Sequence, residues 1–181
     1  LNVGLITGHN PDTATVGDSY GRGDFAIDFG GDGSWDFGIL TADRTTSLLQ
    51  GDVVATTNAD WGTGLWSGPG VYDPANSSYV TNVNGGADVG NATLAVSASF
   101  TNMGTLGGTH WFYELEIPVS VFGTHWQGAS PSETFNIQWT TLCANDIILL
   151  DPSAATIPEP ASLALALGGL GLLGLARRRK Q

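Results

Sequence analysis

Short stretches in which apolar and polar residues alternate recur along residues 1–150, and this alternation restricts what the chain can fold into. In 92–100 (ATLAVSASF) and 111–117 (WFYELEI) every second residue is apolar, as in a strand with one buried and one solvated face. The same pattern occurs in three further stretches: 24–29 (DFAIDF), 34–40 (SWDFGIL) and 134–140 (TFNIQWT). No stretch of residues 1–150 repeats its apolar residues every three or four positions over eleven residues, so we expect strands there rather than helices.

The segments between these stretches have the composition of turns. Gly-Gly-Asp-Gly at 30–33 lies between two alternating stretches and predicts a hairpin. Residues 1–7, 52–57 and 145–150 are further strand candidates. About eight short strands joined by turns predict two packed sheets. We therefore expect an all-β fold over residues 1–150, an antiparallel β-sandwich that is jelly-roll-like, with an open barrel as the alternative.

The charge of the chain is divided unevenly. Residues 1–157 contain sixteen Asp and Glu against two Arg, a net charge of −14, whereas residues 158–181 carry one Glu against four basic residues, a net charge of +3. Such an acidic body repels nucleic-acid phosphates, so we expect no nucleic-acid partner. Divalent cations and neutral sugars suit this surface better, and solubility alone also accounts for the acidity.

The C-terminal segment combines three parts in a fixed order. Pro158, Glu159 and Pro160 precede sixteen uncharged residues, 161–176, made only of Ala, Leu, Gly and Ser. This run is slightly shorter than the roughly 20 residues that span a bilayer, and the long stems of the flanking arginines extend it. The run ends in a basic cluster: Arg177, Arg178, Arg179 and Lys180. We expect one C-terminal transmembrane helix with the basic cluster in the cytoplasm and the acidic body on the other side.

This C-terminal segment resembles the PEP-CTERM sorting signal, which is also described as the "ice-binding protein C-terminal domain", a label that does not imply ice binding. The resemblance implies recognition by exosortase, a membrane transpeptidase-like enzyme of Gram-negative bacteria that produce exopolysaccharide. It also implies cleavage near Pro-Glu-Pro, which turns an inner-membrane-anchored precursor facing the periplasm into a protein of the cell surface or extracellular matrix.

The resemblance divides the chain into an extracellular domain at 1–150, a linker at 151–157 and the sorting signal at 158–181. Pro-Glu-Pro disfavours both helix and sheet, which suits an extended segment that an enzyme recognises. The chain starts at Leu1 without a basic and apolar leader, which we interpret as a mature or trimmed form, or as a fragment.

The body resembles a second group of proteins more loosely. Residues 23–40, 113–123 (YELEIPVSVFG) and 135–150 (FNIQWTTLCANDIILL) are similar to DOMON and family-9 carbohydrate-binding-module sandwiches. The resemblance implies the same β-sandwich. The haem-binding branch of DOMON uses a Met/His pair as haem ligands. Met103 is the one methionine of this sequence and stands alone in a Gly-rich loop, so the sequence offers no Met/His pair that could be assigned to haem.

Four aspartates form the candidate metal site. Asp24, Asp28, Asp32 and Asp36 recur every four residues across the predicted strand, turn and strand. A hairpin brings carboxylates of its two strands together, and the turn adds carbonyl oxygens of the kind that Ca²⁺ binds. The spacing is not that of an EF-hand, and solvated strand faces carry aspartates for solubility alone, so Ca²⁺ is one of two interpretations.

The Gly-rich stretch 58–74 is the candidate sugar-binding site. It contains Trp61, Trp66, Tyr72 and Asp73. Exposed aromatic rings stack on sugars while nearby carboxylates accept hydrogen bonds from hydroxyl groups. The alternative is that the two indoles cover the open end of the sandwich. Three other tryptophans fall on inward-facing positions and are predicted core residues: Trp35, Trp111 and Trp139.

The sequence offers little for catalysis. The three histidines, His9, His110 and His125, have no zinc-site spacing. Glu114 and Glu116 lie about 7 Å apart on one strand face, a separation within the range of glycosidase pairs but also common among outward carboxylates. We predict a non-enzymatic structural or adhesive component of an exopolysaccharide biofilm matrix. A Ca²⁺-assisted carbohydrate-binding module is the first alternative, and a glycan hydrolase is the second.

Overall fold

The computed structural model of the protein describes residues 1–12, 21–68, 71–75, 77, 79–103, 106–126, 135–144 and 147–151. These residues form fourteen strands, which are shorter and more numerous than the sequence predicts. The strands are β1 Asn2–Thr7, β2 Phe25–Phe29, β3 Phe37–Ile39, β4 Asp52–Ala55, β5 Trp61–Thr63, β6 Trp66–Gly68, β7 Val71–Tyr72, β8 Val80–Val83, β9 Ala87–Asn91, β10 Thr93–Val96, β11 Phe100–Met103, β12 Leu106–Glu116, β13 Phe135–Thr140 and β14 Ile147–Leu150. Two 3₁₀ segments, Asn58–Asp60 and Val119–His125, complete the described elements.

The strands form two larger sheets and two small hairpins. The four-stranded sheet has the order β1-β12-β10, and β11 also pairs with β12. The six-stranded sheet has the order β14-β13-β2-β3-β4-β9. The β6-β7 pair is two-stranded, and so is the β5-β8 pair, a wide hairpin whose connection contains β6 and β7. Every pairing between these strands is antiparallel. The prediction of an all-β fold with antiparallel sheets is therefore confirmed.

Side chains from both larger sheets meet in one hydrophobic cluster. Its buried members are Leu5, Phe25, Ile27, Phe37, Ile39, Val53, Ala92, Tyr113, Leu115, Ile117, Phe122, Ile137 and Trp139. On β12, Tyr113 and Leu115 are buried in this cluster while Glu114 and Glu116 are exposed, as the alternation predicts. We call the side of the six-stranded sheet that contributes to this cluster its front face.

The opposite side of the six-stranded sheet, its back face, is also buried. A second cluster comprises Ala26, Leu40, Leu48, Val54, Trp61, Val80 and Val83. Ala26 and Val54 belong to it, whereas their strand neighbours Ile27 and Val53 belong to the front cluster. The β5-β8 hairpin supplies Trp61 and two valines, so it covers strands for which the alternating pattern predicts one solvated face. That prediction is wrong for β2 and β13.

Gly38 in β3 makes the close approach of this hairpin feasible. A Cβ atom placed on Gly38 would overlap Cγ2 of Val83 and lie 3.1 Å from Cη2 of Trp61. The missing side chain therefore leaves the room that the indole ring occupies on the back face. A side chain at this position would push Trp61 and Val83 away from the sheet.

Candidate functional site

Asp28, Asp32 and Asp36 organise the turn between β2 and β3. Asp28 accepts hydrogen bonds from the backbone N–H groups of Gly31 (3.1 Å) and Gly33 (2.9 Å) at its two carboxylate oxygens. Asp32 accepts one from the N–H of Ser34 at 2.8 Å, and Asp36 accepts one from the N–H of Phe29 at 2.7 Å. These carboxylates therefore hold the turn by binding its backbone, as aspartates commonly do in tight turns.

The environment of Asp36 makes its carboxylate harder to ionise. Burial raises the pKa of Asp36 above its ordinary value of 3.8, and the negative charges of Asp28 and Asp32 add to this increase. The hydrogen bond from Phe29 N–H and the nearby imidazole of His125 act in the opposite direction. Desolvation thus outweighs the favourable contacts at this end of the turn.

Asp24 serves a different part of the molecule. It is buried, and its carboxylate forms a two-point ion pair with Arg44, at 2.7 Å to one guanidinium nitrogen and 3.0 Å to Nε. The same carboxylate accepts hydrogen bonds from the backbone N–H groups of Thr41 (2.8 Å) and Val83 (2.9 Å). Arg44 also donates to the carbonyl oxygen of Arg22 at 3.1 Å. One aspartate therefore joins three segments that are remote in sequence.

The four predicted calcium ligands are consequently not one cluster. Asp28, Asp32 and Asp36 share the turn, but Asp24 lies at the other end of β2 in contact with Arg44. Both Asp24 and Asp28 are 2% exposed, which contradicts their predicted place on a solvated face. Within the part of the chain that is described, no three His, Cys, Asp or Glu residues are grouped so as to hold a metal ion. The calcium site stays a prediction that this geometry does not favour.

The two tryptophans of the predicted sugar-binding loop have different environments. Trp61 is only 6% exposed, belongs to the back-face cluster and donates from Nε1 to Oγ1 of Thr56 at 3.1 Å. Its ring is unavailable to a sugar, so the prediction of an exposed Trp61 is wrong. The surrounding Gly-rich sequence suggested an exposed loop, whereas the glycines allow close packing.

Trp66 and Tyr72 remain accessible on the small β6-β7 hairpin. Their rings pack edge to face with centroids 5.7 Å apart, and Tyr72 is 65% exposed. Ser77 donates from its hydroxyl group to the carbonyl oxygen of Trp66 at 2.9 Å and so ties the hairpin to the following loop. The half-buried Asp73 follows directly, and its N–H donates to the carbonyl oxygen of Leu65 at 3.0 Å. The hairpin thus presents an aromatic pair that is followed directly in the sequence by an acidic residue.

The remaining aromatic and acidic candidates divide between the core and the surface. Trp139 is buried in the front cluster as predicted, and Trp111 packs against that cluster while half-buried. Trp35 packs against the back-face cluster instead. Glu114 and Glu116 project from the exposed side of β12, between β1 and β10. Their common orientation agrees with the sequence analysis.

A polar feature of the core was not visible in the sequence. The hydroxyl group of Tyr113 and the Nε1 of Trp139 are both buried without a hydrogen-bond partner in the described structure, and their rings lie 5.8 Å apart. Burial raises the pKa of Tyr113 to about 12, while Arg22 lies near enough to oppose that increase without reaching hydrogen-bonding geometry. Ordered water commonly satisfies such groups. The alternation of apolar and polar residues predicts that these two rings are buried, but not that their polar atoms have no hydrogen-bond partner.

The predicted sorting residues lie beyond the described part of the chain. This applies to Pro158, Glu159 and Pro160, to the apolar run 161–176 and to the basic cluster at 177–180. Among the helical segments that the structure does describe, none has the length and apolar character needed to cross a membrane.

Comparison with protein families identifies the C-terminal segment. Residues 156–180 match the PEP-CTERM protein-sorting motif, which confirms the prediction made from Pro-Glu-Pro, the apolar run and the basic cluster. No curated protein and no solved structure matches the chain significantly. A PEP-CTERM motif implies export across the membrane and sorting by exosortase to the cell surface or the extracellular space. The site with an assigned role is therefore the C-terminal motif.

Proposed function

We propose that the protein is a non-enzymatic structural or adhesive component of an exopolysaccharide biofilm matrix. The observation that carries this proposal is the sorting motif at 156–180, which lies C-terminal to the all-β part of the chain. In the proposed route, an apolar helix at 161–176 anchors the precursor in the inner membrane with its domain in the periplasm. Exosortase then cleaves near Pro-Glu-Pro and passes the domain to the surface or matrix.

The architecture of the domain supports a stable extracellular module. We propose a jelly-roll-like β-sandwich, because both larger sheets contribute to one hydrophobic cluster, as facing sheets do. Asp24, Asp28, Asp52 and Asp60 all accept hydrogen bonds from backbone N–H groups of loops or strand ends. Part of the acidity of the chain therefore organises loops, and this use of aspartate needs neither a metal nor a catalytic reaction.

The matrix role is tested by following the processed domain in an exopolysaccharide-producing host that encodes exosortase. We expect the domain to fractionate with the polysaccharide and to be released when the polysaccharide is digested. Two results together would contradict the proposal. The processed domain would be recovered from the medium as free protein with no polysaccharide attached, and deletion of its gene would leave biofilm adhesion unchanged.

Carbohydrate recognition is the second candidate function, and the observation that favours it is the exposed ring of Tyr72 packed against the half-buried ring of Trp66. A glycan array read out with tryptophan fluorescence tests it. Binding that is lost in Tyr72→Ala and kept in Tyr72→Phe would support stacking on the ring. Absence of binding to every glycan, with the intrinsic tryptophan fluorescence unchanged, would leave only the structural role.

A further inference from the structure

The strand β14 is an apolar edge that nothing in the described structure covers. It consists of Ile147, Ile148, Leu149 and Leu150 and pairs on one side with β13. Ile148, Leu149 and Leu150 are 42%, 60% and 52% exposed. Because neighbouring residues of a strand point to opposite faces of the sheet, these three side chains include residues from each face. Both faces of this strand are therefore open to solvent.

The other edge of the same sheet is protected. In β9 the pairing with β4 shifts register at Val53/Val54, which marks a β-bulge, and Asp88 places a charge on the edge. Val121 of the Val119–His125 segment lies against Gly90, since a Cβ atom added at that glycine would stand 2.9 Å from Cγ1 of Val121. Bulges, charges and covering segments are the devices by which natural sheets prevent edge-to-edge pairing.

Within the four residues of β14 these devices are missing, and charge and proline occur only at its flanks in the sequence, as Asp146, Asp151 and Pro152. Its four residues include no charge and no proline, and its pairing with β13 runs without a register shift from Thr140↔Ile147 to Ile137↔Leu150. The neighbouring strand β13 also carries no charged residue. An edge strand has unpaired backbone N–H and C=O groups, which lipid chains cannot satisfy, and aliphatic side chains, which hydrated glycans cover poorly. The suitable occupant is another apolar strand.

We infer that two processed copies of this chain pair through their β14 strands, antiparallel, and join their six-stranded sheets. This inference rests on the proposed function, because it requires removal of the C-terminal tail. Five residues, 151–155, separate β14 from the sorting motif, so processing near Pro158 leaves only a short stretch of chain after the strand. An antiparallel pair of identical strands is self-complementary and closes as a two-fold dimer.

Charge favours the same surface. Residues 1–157 carry a net charge of −14, so copies of the domain repel one another over most of their surface. The strands β13 and β14 carry no charge themselves, although Asp146 and Asp151 flank β14, so two copies repel less along this strand than over the rest of the surface and at its ends. Salt screens the remaining repulsion, and we therefore expect pairing to strengthen as ionic strength rises.

Sedimentation of the processed protein, recovered from its host, tests the inference. We expect a concentration-dependent dimer, and hydrogen exchange at Ile147–Leu150 that slows as the dimer forms. Leu149→Lys replaces an aliphatic edge residue with a charge of the kind by which natural edge strands prevent pairing, and it should raise the dimer dissociation constant by about tenfold or more. Val89→Lys is the matched control, since Val89 is an exposed aliphatic residue on the protected edge, and should leave that constant nearly unchanged.

Three outcomes would overturn the inference: a processed wild type that stays monomeric at high concentration, equal weakening by both lysine variants, or dimers in which β14 exchanges as fast as in the monomer. Monomers that bind protein-free lipid vesicles through β14 would assign the edge to a membrane and also overturn it. If the domain reaches the matrix as a monomer, this inference fails while the proposed function stands. If the domain is never exported, the proposed function fails first.

Discussion

The two faces of the six-stranded sheet are buried by different kinds of residues. The front face uses large side chains at alternate positions, such as Phe25 and Ile27, which contact the facing sheet. The back face uses small residues, Ala26 and Gly38, over which a hairpin from elsewhere in the chain places Trp61. It also buries the carboxylate of Asp24. A polar or small residue in an alternating strand therefore does not imply contact with solvent.

The largest expected effect comes from breaking the buried ion pair on the back face. Arg44→Ala leaves the carboxylate of Asp24 buried without its counter-charge, which typically costs about 3–5 kcal/mol. Denaturant unfolding measures this loss. Asp43→Ala is the matched control, because the adjacent Asp43 is exposed and should change stability by less than about 1 kcal/mol. If the two substitutions lowered the free energy of unfolding equally, the buried ion pair would not be a particular source of stability.

Two tryptophans of one loop provide the next comparison. Trp61→Ala empties part of the back-face cluster and should destabilise the domain by about 3 kcal/mol, whereas Trp66→Ala on the half-buried hairpin should cost less than about 1 kcal/mol. Thermal unfolding of the two variants checks the order. If Trp66→Ala were the more damaging change, the assignment of Trp61 to the core would be wrong.

Adding a methyl group tests the close packing at β3. Gly38→Ala places a Cβ atom against Val83 and the indole of Trp61, and we expect a loss of about 2 kcal/mol from overpacking. Gly107→Ala is the control, since a Cβ atom at Gly107 meets no atom within 4 Å. The same unfolding assay should find Gly107→Ala close to the wild type. A tolerated Gly38→Ala would mean that the hairpin packs less closely than described.

The smallest effects concern pH, and they have opposite signs. Burial raises the pKa of Asp36, so the protonated carboxyl group favours the folded state. This contribution to stability is complete below the ordinary pKa of 3.8 and is lost as pH rises through the pKa of Asp36 in the folded protein. The pKa of Asp60 is lowered, chiefly by the hydrogen bond from the N–H of Thr57, so the ionised carboxylate favours the folded state. This contribution to stability is complete above pH 3.8 and is lost as pH falls through the pKa of Asp60 in the folded protein.

Urea unfolding between about pH 3 and about pH 7 measures both effects. Relative to wild type, Asp36→Asn should gain stability as pH rises, because it removes a carboxylate that is costly to ionise. Asp60→Asn should lose stability over the same interval, because it removes a carboxylate that the fold holds ionised. Parallel pH profiles of the two variants would refute the assigned causes.

A region could be predicted from the sequence where its structure depends on neighbouring residues, and could not where it depends on contacts with remote segments. On β12 the alternation of Tyr113 and Leu115 with two glutamates is local, so the strand and its buried face were predictable. The contacts of Asp24 were not, because Arg44 and Val83 come from segments 20 and 59 residues away. Ile147–Leu150 reads as a buried strand, and only the order of strands reveals that it is an edge. The sorting motif was readable because such signals are linear.

The most direct measurement for the account as a whole is the location and mass of the full-length chain in a host with and without exosortase. With the enzyme, we expect a shortened domain at the cell surface or in the matrix. Without it, or when Pro158, Glu159 and Pro160 are all changed to alanine, we expect an uncleaved precursor in the inner membrane. An intact, full-length protein in the cytosol of the host that has exosortase would contradict the account.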